Sequence, residues 1–445
     1  MSTDARTRVL GELITASHLM TLEQVPRTVS AYAARAGWPG VLIYVSDLQQ
    51  DQLYLLTGPG GASDDSDDSG DSGGEAEGAP AELAVEGTVA GRAFQIGEVL
   101  PASASSTGQW WIPLLDGSER LGVLRVGLPG AAVEADADVG ALAGLVALLL
   151  VSKRGTSDSY GRLVRRRRME VAAEMEWRLM PPRTFAADRV LISAIMEPAY
   201  EISGDAFDYA VSGDTVHLSV FDAMGHDTAA GLTANLAVAT CRKYRRQGAD
   251  LGQTADRIEQ TLTEQFGTSR YTTGILAELS MATGTLSWTS RGHHPPVVIR
   301  GRRTIVPLAC PPAGPMGTGL GLPTTICHDR LEPGDRLLFF TDGITEARND
   351  RGEEFGLDRL TDFLIRHHAD DLSVPETLRR LVRHHLDYHD GRLRDDATVM
   401  LVEWHGPTPY SPSALQERVG LPPSITPDDP LATAWSTPPP TPAGS

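Results

Sequence analysis

Four carboxylates in this chain sit where an apolar strand pattern stops or starts. Val216 to Phe221 runs into Asp222, and Arg336 to Thr341 runs into Asp342-Gly343. Arg394-Asp395-Asp396 leads into the apolar run Ala397 to Val402. The fourth, Asp205, opens the short strand pattern in Ser203-Gly204-Asp205-Ala206-Phe207-Asp208-Tyr209. Gly213-Asp214 between the first two patterns is a two-residue hairpin signal. Counting outward from that turn sets Ser212 opposite Thr215, Val211 opposite Val216, and Asp205 opposite Asp222. Carboxylates directly opposite each other repel. A hard divalent cation between them removes the repulsion, because such ions prefer carboxylate oxygens. A solvated sheet end carrying two ordinary acids is the competing reading.

If the strands around 336–341 and 397–402 are antiparallel neighbours, Asp342 and Asp395 meet at the same sheet edge. Asp205, Asp222, Asp342 and Asp395 then converge, as a two-ion site requires, with ions ~3.5–4 Å apart sharing a carboxylate. All-oxygen ligands select Mg²⁺ or Mn²⁺ over Zn²⁺. Asp208 has the opposite strand parity from Asp205, so it reads as structural or as a weak third-ion ligand. Asp396 competes with Asp395. His226 reads as a proton donor to the leaving oxygen or as a cap on the following helix. His293 and His294 read as braces of a turn.

These acids need elements to hold them. Residues 6–35 carry helical spacing, and 40–45 and 52–56 read as neighbouring strands. Gly58 to Pro80 is a Gly-, Ser- and Asp-rich block that cannot bury a core and is expected to be a disordered insert. Gly87–Phe94, Trp110–Leu114 and Arg120–Val126 are taken as strands, followed by an apolar helix over 139–153. Tyr160 to Met180 reads as one linker helix with Val171, Met175 and Leu179 as its apolar edge, stopped by Pro181-Pro182. The expected layout is a first domain over 1–155, a linker helix over 156–182, a catalytic domain over 183–405 and a disordered Pro-rich tail over 406–445.

The formal net charge is −19 over 445 residues. With no basic arm, nucleic-acid binding is not the expected role. The run Arg165–Arg168 reads better as a solvated face or a partner for acids. Cys241, Cys310 and Cys327 have no metal spacing and suggest a reducing compartment without a disulfide framework. The start lacks a basic segment followed by an apolar core, and the longest apolar run, 139–151, is too short to span a bilayer. A cytoplasmic location without membrane attachment is the expectation.

The first third resembles a GAF domain, a small-molecule sensor fold. Glu86-Gly87-Thr88-Val89-Ala90-Gly91 and the pair Ile112-Pro113-Leu114 and Leu121-Gly122-Val123-Leu124 carry that likeness. A dimerising or purely structural sheet is the competing reading, and this domain with the linker is compatible with a homodimer. Residues 187–404 resemble the metal-dependent protein phosphatase 2C (PPM-type) catalytic domain, and more narrowly its bacterial sporulation-stage-II-E branch, which regulates sigma factors. The matches come in the family's order. They are Ser203-Gly204-Asp205, Asp222-Ala223-Met224-Gly225-His226, Arg291-Gly292-His293-His294-Pro295-Pro296, Leu331-Glu332-Pro333-Gly334-Asp335 with Thr341-Asp342-Gly343, and Asp395-Asp396-Ala397-Thr398.

The resemblance implies an α+β fold, with two antiparallel sheets flanked by helices (an αββα sandwich) after the GAF-like antiparallel sheet. It implies a serine/threonine phosphatase using two Mn²⁺ or Mg²⁺ ions, with an ion-activated water attacking phosphorus and no covalent phosphoenzyme. By the same resemblance Asp222 bridges both ions, the Ala223 carbonyl adds a ligand, Asp205 holds the first ion, and Asp342 and Asp395 hold the second. Asp395 is preferred to Asp396 by family position. Ala223 stands where the family has Gly, Asp227 where a Gly is common, and Arg291 where a small residue is usual. The implied partner is a phosphorylated anti-sigma-factor antagonist. Arg291 is expected to offset the acidic charge near the site. The rival reading is a catalytically weak or inactive phosphatase fold that sequesters a regulator.

Overall fold

The computed structural model describes residues 3–58, 79–102, 108–128, 137–202, 204–311, 313–369, 372–389, 393, 395–411 and 414. Nearly all of the expected insert (59–78) and most of the expected tail (412, 413 and 415–445) lie outside them. The expected tail is tied to the fold at Tyr410, just beyond His405 at the end of the catalytic domain. The amide of His405 donates to the Arg189 carbonyl and that of Tyr410 to the Asp188 carbonyl, each at 2.8 Å.

Helices α1 (Thr3–Ala16) and α2 (Val25–Arg35) precede strands β1 (Leu42–Ser46), β2 (Gln52–Leu55) and β3 (Glu82–Ala84). Helix α3 (Val89–Ile96) follows, then β4 (Leu100–Pro101), β5 (Gln109–Asp116), β6 (Glu119–Gly127) and helix α4 (Ala137–Arg154). Among the described residues these strands form an antiparallel sheet in the order β3-β2-β1-β6-β5-β4. Helices α1, α2 and α4 bury Leu13, Val29, Leu142, Val146 and Leu150 against one face. Under α3 the other face is filled by Tyr44, Leu53, Phe94 and Trp111.

The strand reading of 87–94 is wrong. Thr88 caps a helix by accepting from the Gly91 amide at 2.9 Å, and Gly97 ends it with φ +70°. A side chain at Gly91 would lie 1.8 Å from the Val85 carbonyl oxygen, so only glycine lets α3 pack this closely. The cap and this contact decide for a helix.

The linker is two helices, α5 (Asp158–Val164) and α6 (Val171–Leu179), and not one. Arg165 takes extended backbone with φ −108° and ψ 99°. Four like charges in one turn repel, and opening the chain gives Arg165 and Arg166 separate partners. Arg165 pairs with Glu174, while Arg166 pairs with Glu82 at 3.3 Å and lies over the Tyr54 ring at 3.9 Å. The expected apolar edge of α6 holds at Leu179, which packs against the core under α7, but not at Val171. Val171 is 66% exposed, and the buried face is Ala172, Ala173 and Glu176.

The rest forms the sandwich. Strands β7 (Thr184–Ala187), β8 (Val190–Glu197), β9 (Asp205–Ser212) and β10 (Thr215–Ala223) precede helices α7 (Thr228–Arg246) and α8 (Leu251–Phe266). Then come β11 (Thr272–Ser280), β12 (Thr285–Arg291), β13 (Val297–Arg300), β14 (Thr304–Pro307), β15 (Cys327–Arg330) and β16 (Arg336–Phe340). Helices α9 (Asp342–Thr345), α10 (Gly356–Ala369) and α11 (Val374–Tyr388) precede the last strand, β17 (Ala397–Trp404).

Among the described residues the sheets run β15-β12-β11-β10-β9 and β14-β13-β16-β17-β8-β7, with every pairing antiparallel. Phe207, Leu218, Ile275 and Trp288 meet Ile192, Leu337, Phe339 and Met400 between the sheets. Helices α7 and α8 cover the outer face of the first sheet, and α10 and α11 cover that of the second.

Cys310 and Cys327 are joined in a disulfide, which corrects the expectation of none. Pairing of β15 with β12 returns the intervening loop to its start and brings the two Cα atoms to 5.8 Å. Among the described residues no single helix is long and apolar enough to cross a membrane. The apolar run 139–151 is core, with Leu142, Val146 and Leu150 fully buried.

Candidate metal centre

The hairpin register sets Ser212 against Thr215, Val211 against Val216 and Asp205 against Asp222, as the two-residue turn requires. Side chains alternate along a strand, so residues two apart share a face. Phe207 and Tyr209 on β9, and Val216, Leu218 and Val220 on β10, face the space between the sheets. Asp205 and Asp222 continue those two series at the open end of that space. Strands β16 and β17 are antiparallel neighbours with Phe340 opposite Val399. Asp342, just past the end of β16, therefore lies beside Asp395, just before β17.

The four acids act on one another. Asp205 is 2% exposed. Burial first, then Asp222 and Asp396, hold its carboxyl well above the usual carboxylate range. Asp222 is pushed up to about 7, by burial first and then by Asp342, Asp395 and Asp396. Asp395 is also raised, by burial of its carboxyl and by Asp342. Acids crowded like this ionise together only when positive charge joins them. Their oxygen donors suit Mg²⁺ or Mn²⁺. Among the described residues no three His, Cys, Asp or Glu are already gathered tightly enough to hold an ion.

Several supporting residues were not singled out from the sequence. The Thr341 hydroxyl donates to Asp205 Oδ2 at 2.7 Å and accepts from the Thr398 amide at 2.9 Å. Thr341 follows Leu337 and Phe339 in strand parity, and that is the signal which could have revealed it. The Thr272 hydroxyl donates to the Asp222 carbonyl at 2.9 Å. Gly204 is needed because a side chain there would lie 2.9 Å from the carbonyl oxygens of both Ala223 and Gly225. At Gly343 a side chain would lie 1.8 Å from the Asp396 carbonyl oxygen.

His293 does more than brace a turn. It spans from Thr273 Oγ1 (2.8 Å to Nδ1) to the Phe340 carbonyl (3.0 Å to Nε2). A carbonyl only accepts, so Nε2 carries the proton and Nδ1 accepts from the Thr273 hydroxyl. Burial pushes its pKa down to about 4, so the ring is neutral. Thr273 lies opposite Asp222, and Phe340 lies two residues before Asp342. His293 thus ties the Asp222 edge of one sheet to the Asp342 end of the other.

Residues 212–405 match the family described as Stage II sporulation protein E (SpoIIE). Over this stretch, a little under half of the chain, the sequence is similar to that family. The chain is similar to phosphoserine phosphatase RsbU of Bacillus subtilis, at 23% identity over 241 residues, covering 53% of this chain and 69% of that one. It is also similar to protein IcfG of Synechocystis, at 23% over 270 residues, spanning 54% of this chain but only 42% of IcfG. Among solved structures it is similar to the RsbU and RsbW domains of Rv1364c from Mycobacterium tuberculosis, at 24% identity and a TM-score of 0.43, covering 52% of this chain and 63% of that one. A second is the PP2C phosphatase domain of SpoIIE from Bacillus subtilis with a fragment of its regulatory domain, at 19% identity and a TM-score of 0.42. That match covers 49% of this chain and 64% of the other.

The remaining expectations can be placed on this geometry. Ala223 ends β10 in extended backbone, while Gly225 (φ +94°) takes the left-handed turn, so alanine at 223 causes no backbone strain. Asp396 is 6% exposed, and its Oδ2 accepts from the Gly204 amide at 2.6 Å and the Asp205 amide at 3.4 Å. Asp395 stands at the rim, exposed as a residue but with its carboxyl half-buried. Asp208 faces α7, where Arg242 (2.7 Å) and Arg245 (2.8 Å) hold it.

His226 does not cap α7. Asp227 does, accepting from the Ala230 amide at 2.8 Å, because its short carboxylate reaches back over the first turn. Asp227 also pairs with Arg270 at 2.9 Å, which offsets the charge it adds. Arg291 does not offset the acids at the site. It is 3% exposed and donates to the Gly314 carbonyl and the Thr324 hydroxyl, both at 2.9 Å, which fastens the loop before β15. His294 stacks on Phe340 with ring centroids 5.9 Å apart.

Proposed function

We propose that this chain is a Mn²⁺- or Mg²⁺-dependent phosphoprotein phosphatase acting on phosphoserine or phosphothreonine of a small anti-sigma-factor antagonist in the cytoplasm. The reading is carried by Asp205 standing opposite Asp222, with Asp342 and Asp395 near enough to raise the Asp222 pKa. The name of RsbU, a phosphoserine phosphatase, supports the reaction class. The antagonist as substrate follows from the resemblance to the sigma-factor-regulating branch. In this reading the first domain is a GAF-like sensor that modulates the site.

Asp222 and the Ala223 carbonyl on β10, Asp205 on β9, Asp342 on α9 and Asp395 before β17 would hold two ions. When bound, the ions supply an acidified water and positive charge toward the transferred phosphoryl group. The chain's own contribution is orientation. Thr341 aims Asp205, Asp396 fixes the Gly204–Asp205 backbone, and neutral His293 sets the spacing between Asp222 and Asp342. Such outer contacts hold a ligand set in place before the ions arrive.

Phosphate release from a phosphorylated antagonist and from ATP, each with Mn²⁺ and with a chelator, tests the reading. The expected result is hydrolysis only with the ion and a clear preference for the phosphoprotein. Hydrolysis that survives chelation, or a preference for ATP, overturns it.

A further inference from the structure

The first domain, the α5–α6 segment and the start of the sandwich enclose a cleft of ≈ 760 Å³. This volume falls in the range of small-molecule sites, roughly 300–1,000 Å³. Seven arginines and four carboxylates line it, a surplus of three positive charges in a chain whose net charge is −19. Two of the carboxylates are already engaged. Glu119 takes Arg154 through two hydrogen bonds, at 3.0 and 3.2 Å, and Glu174 takes Arg165 and Arg178. Arg162 and Arg167 are exposed and make no ion pair among the described residues.

Trp177 forms part of the wall. Its indole N–H donates to the Ala199 carbonyl at 2.7 Å, and Arg183 lies over its ring at 5.5 Å. Unpaired guanidinium groups in a concave site repel one another and are matched best by a multiply charged anion. A fixed aromatic face beside them suits a planar ring.

We propose that this cleft binds a small organic phosphate carrying two or more phosphate charges and a planar ring, of nucleoside-diphosphate size. The site is separate from the acidic metal centre, which repels such an anion when no ion is present. Its position gives it leverage. Trp177 and Arg178 face the cleft from α6, while Ala172, Ala173 and Glu176 of the same helix are buried away from solvent. Glu176 lies within electrostatic reach of Asp396, which holds the Gly204 and Asp205 amides.

The test is calorimetric titration of the full chain with ADP in a chelator, where neither metal binding nor turnover contributes. Saturable one-site binding of ADP is expected, with adenosine giving none. Asp222→Asn should bind ADP as the unaltered chain does. The double variant Arg162→Glu/Arg167→Glu, at two exposed positions, should bind at least about tenfold more weakly with an unchanged melting temperature. Absence of ADP binding, equal binding of adenosine, or undiminished binding by the double variant would overturn the proposal. Loss of binding in Asp222→Asn would also overturn it, by placing the anion at the metal centre.

Discussion

Asp222 stands opposite Asp205 and within the field of Asp342, Asp395 and Asp396. Replacing it with asparagine keeps the shape and removes the charge an ion needs. Asp222→Asn and Asp342→Asn are each expected to lower Mn²⁺-dependent turnover at least about a hundredfold, several kcal/mol of charge stabilisation being lost. Steady-state rates across a Mn²⁺ series check this, and near-normal turnover in either variant would sink the ligand assignment. His293→Ala removes the tie from Thr273 to Phe340 and should weaken apparent Mn²⁺ affinity or activity by about 10–100-fold. A brace of one local turn would leave the Mn²⁺ dependence unchanged. Asp208 behaves differently, because it serves α7 and not the ions. Asp208→Ala leaves Arg242 and Arg245 without their buried partner and should cost about 3–5 kcal/mol in urea unfolding. A cost below about 1 kcal/mol would contradict that structural role.

Helix α6 is the element most open to test, because Glu176 is fully buried within it. Burial first, then Asp396, raises its pKa from 4.5 to about 9, so the folded protein holds its carboxyl neutral at pH 7. The unfolded chain releases that proton near pH 4.5. The stabilisation from the neutral form is complete below about pH 4.5 and is lost as pH rises through about 9. Glu176→Gln has no proton to lose. Its stability relative to the unaltered chain should therefore move in the variant's favour between pH 5 and 9, by about 5 kcal/mol if the full shift is realised. Urea midpoints across that range measure the difference, and a difference that stays flat with pH would refute a buried neutral carboxyl.

For the whole molecule, the contact between the first domain and the sandwich is mostly polar. Glu86 takes Arg379 at 2.8 Å and Arg383 at 2.7 Å from α11, and Gln49 donates to Glu197 at 3.2 Å. Arg183 donates to the Leu48 carbonyl at 2.5 Å. Arg379 is buried, but Glu86 and Arg383 are exposed, and ion pairs with such exposed groups contribute about 0–1 kcal/mol each, so this junction can open. Glu86→Arg sets three cations against one another and should speed tryptic cutting within Arg165–Arg168 several-fold, as followed by fragment mass. An unchanged cutting rate would mean that this cluster does not hold the two parts together.

The sequence by itself determined the strand-end positions of the acids, the hairpin register and the outward parity of Asp208. Each follows from a local rule, since a two-residue turn sets register and side chains alternate with period two. Only the tertiary structure decided which distant groups meet them. Thr341 reaches Asp205 across 136 residues, and His293 reaches Phe340 across 47. Such contacts depend on how two sheets stack, and no local period encodes that. The linker shows the same division. Helical spacing ran unbroken through Tyr160–Met180, yet Glu82 and Tyr54 of the first domain draw Arg166 aside and the chain opens between α5 and α6. Likewise Cys310 meets Cys327 only because β15 returns to the edge of β12. Asp227 takes the cap expected of His226 because a short carboxylate closes the first turn of α7 while Arg270 neutralises it.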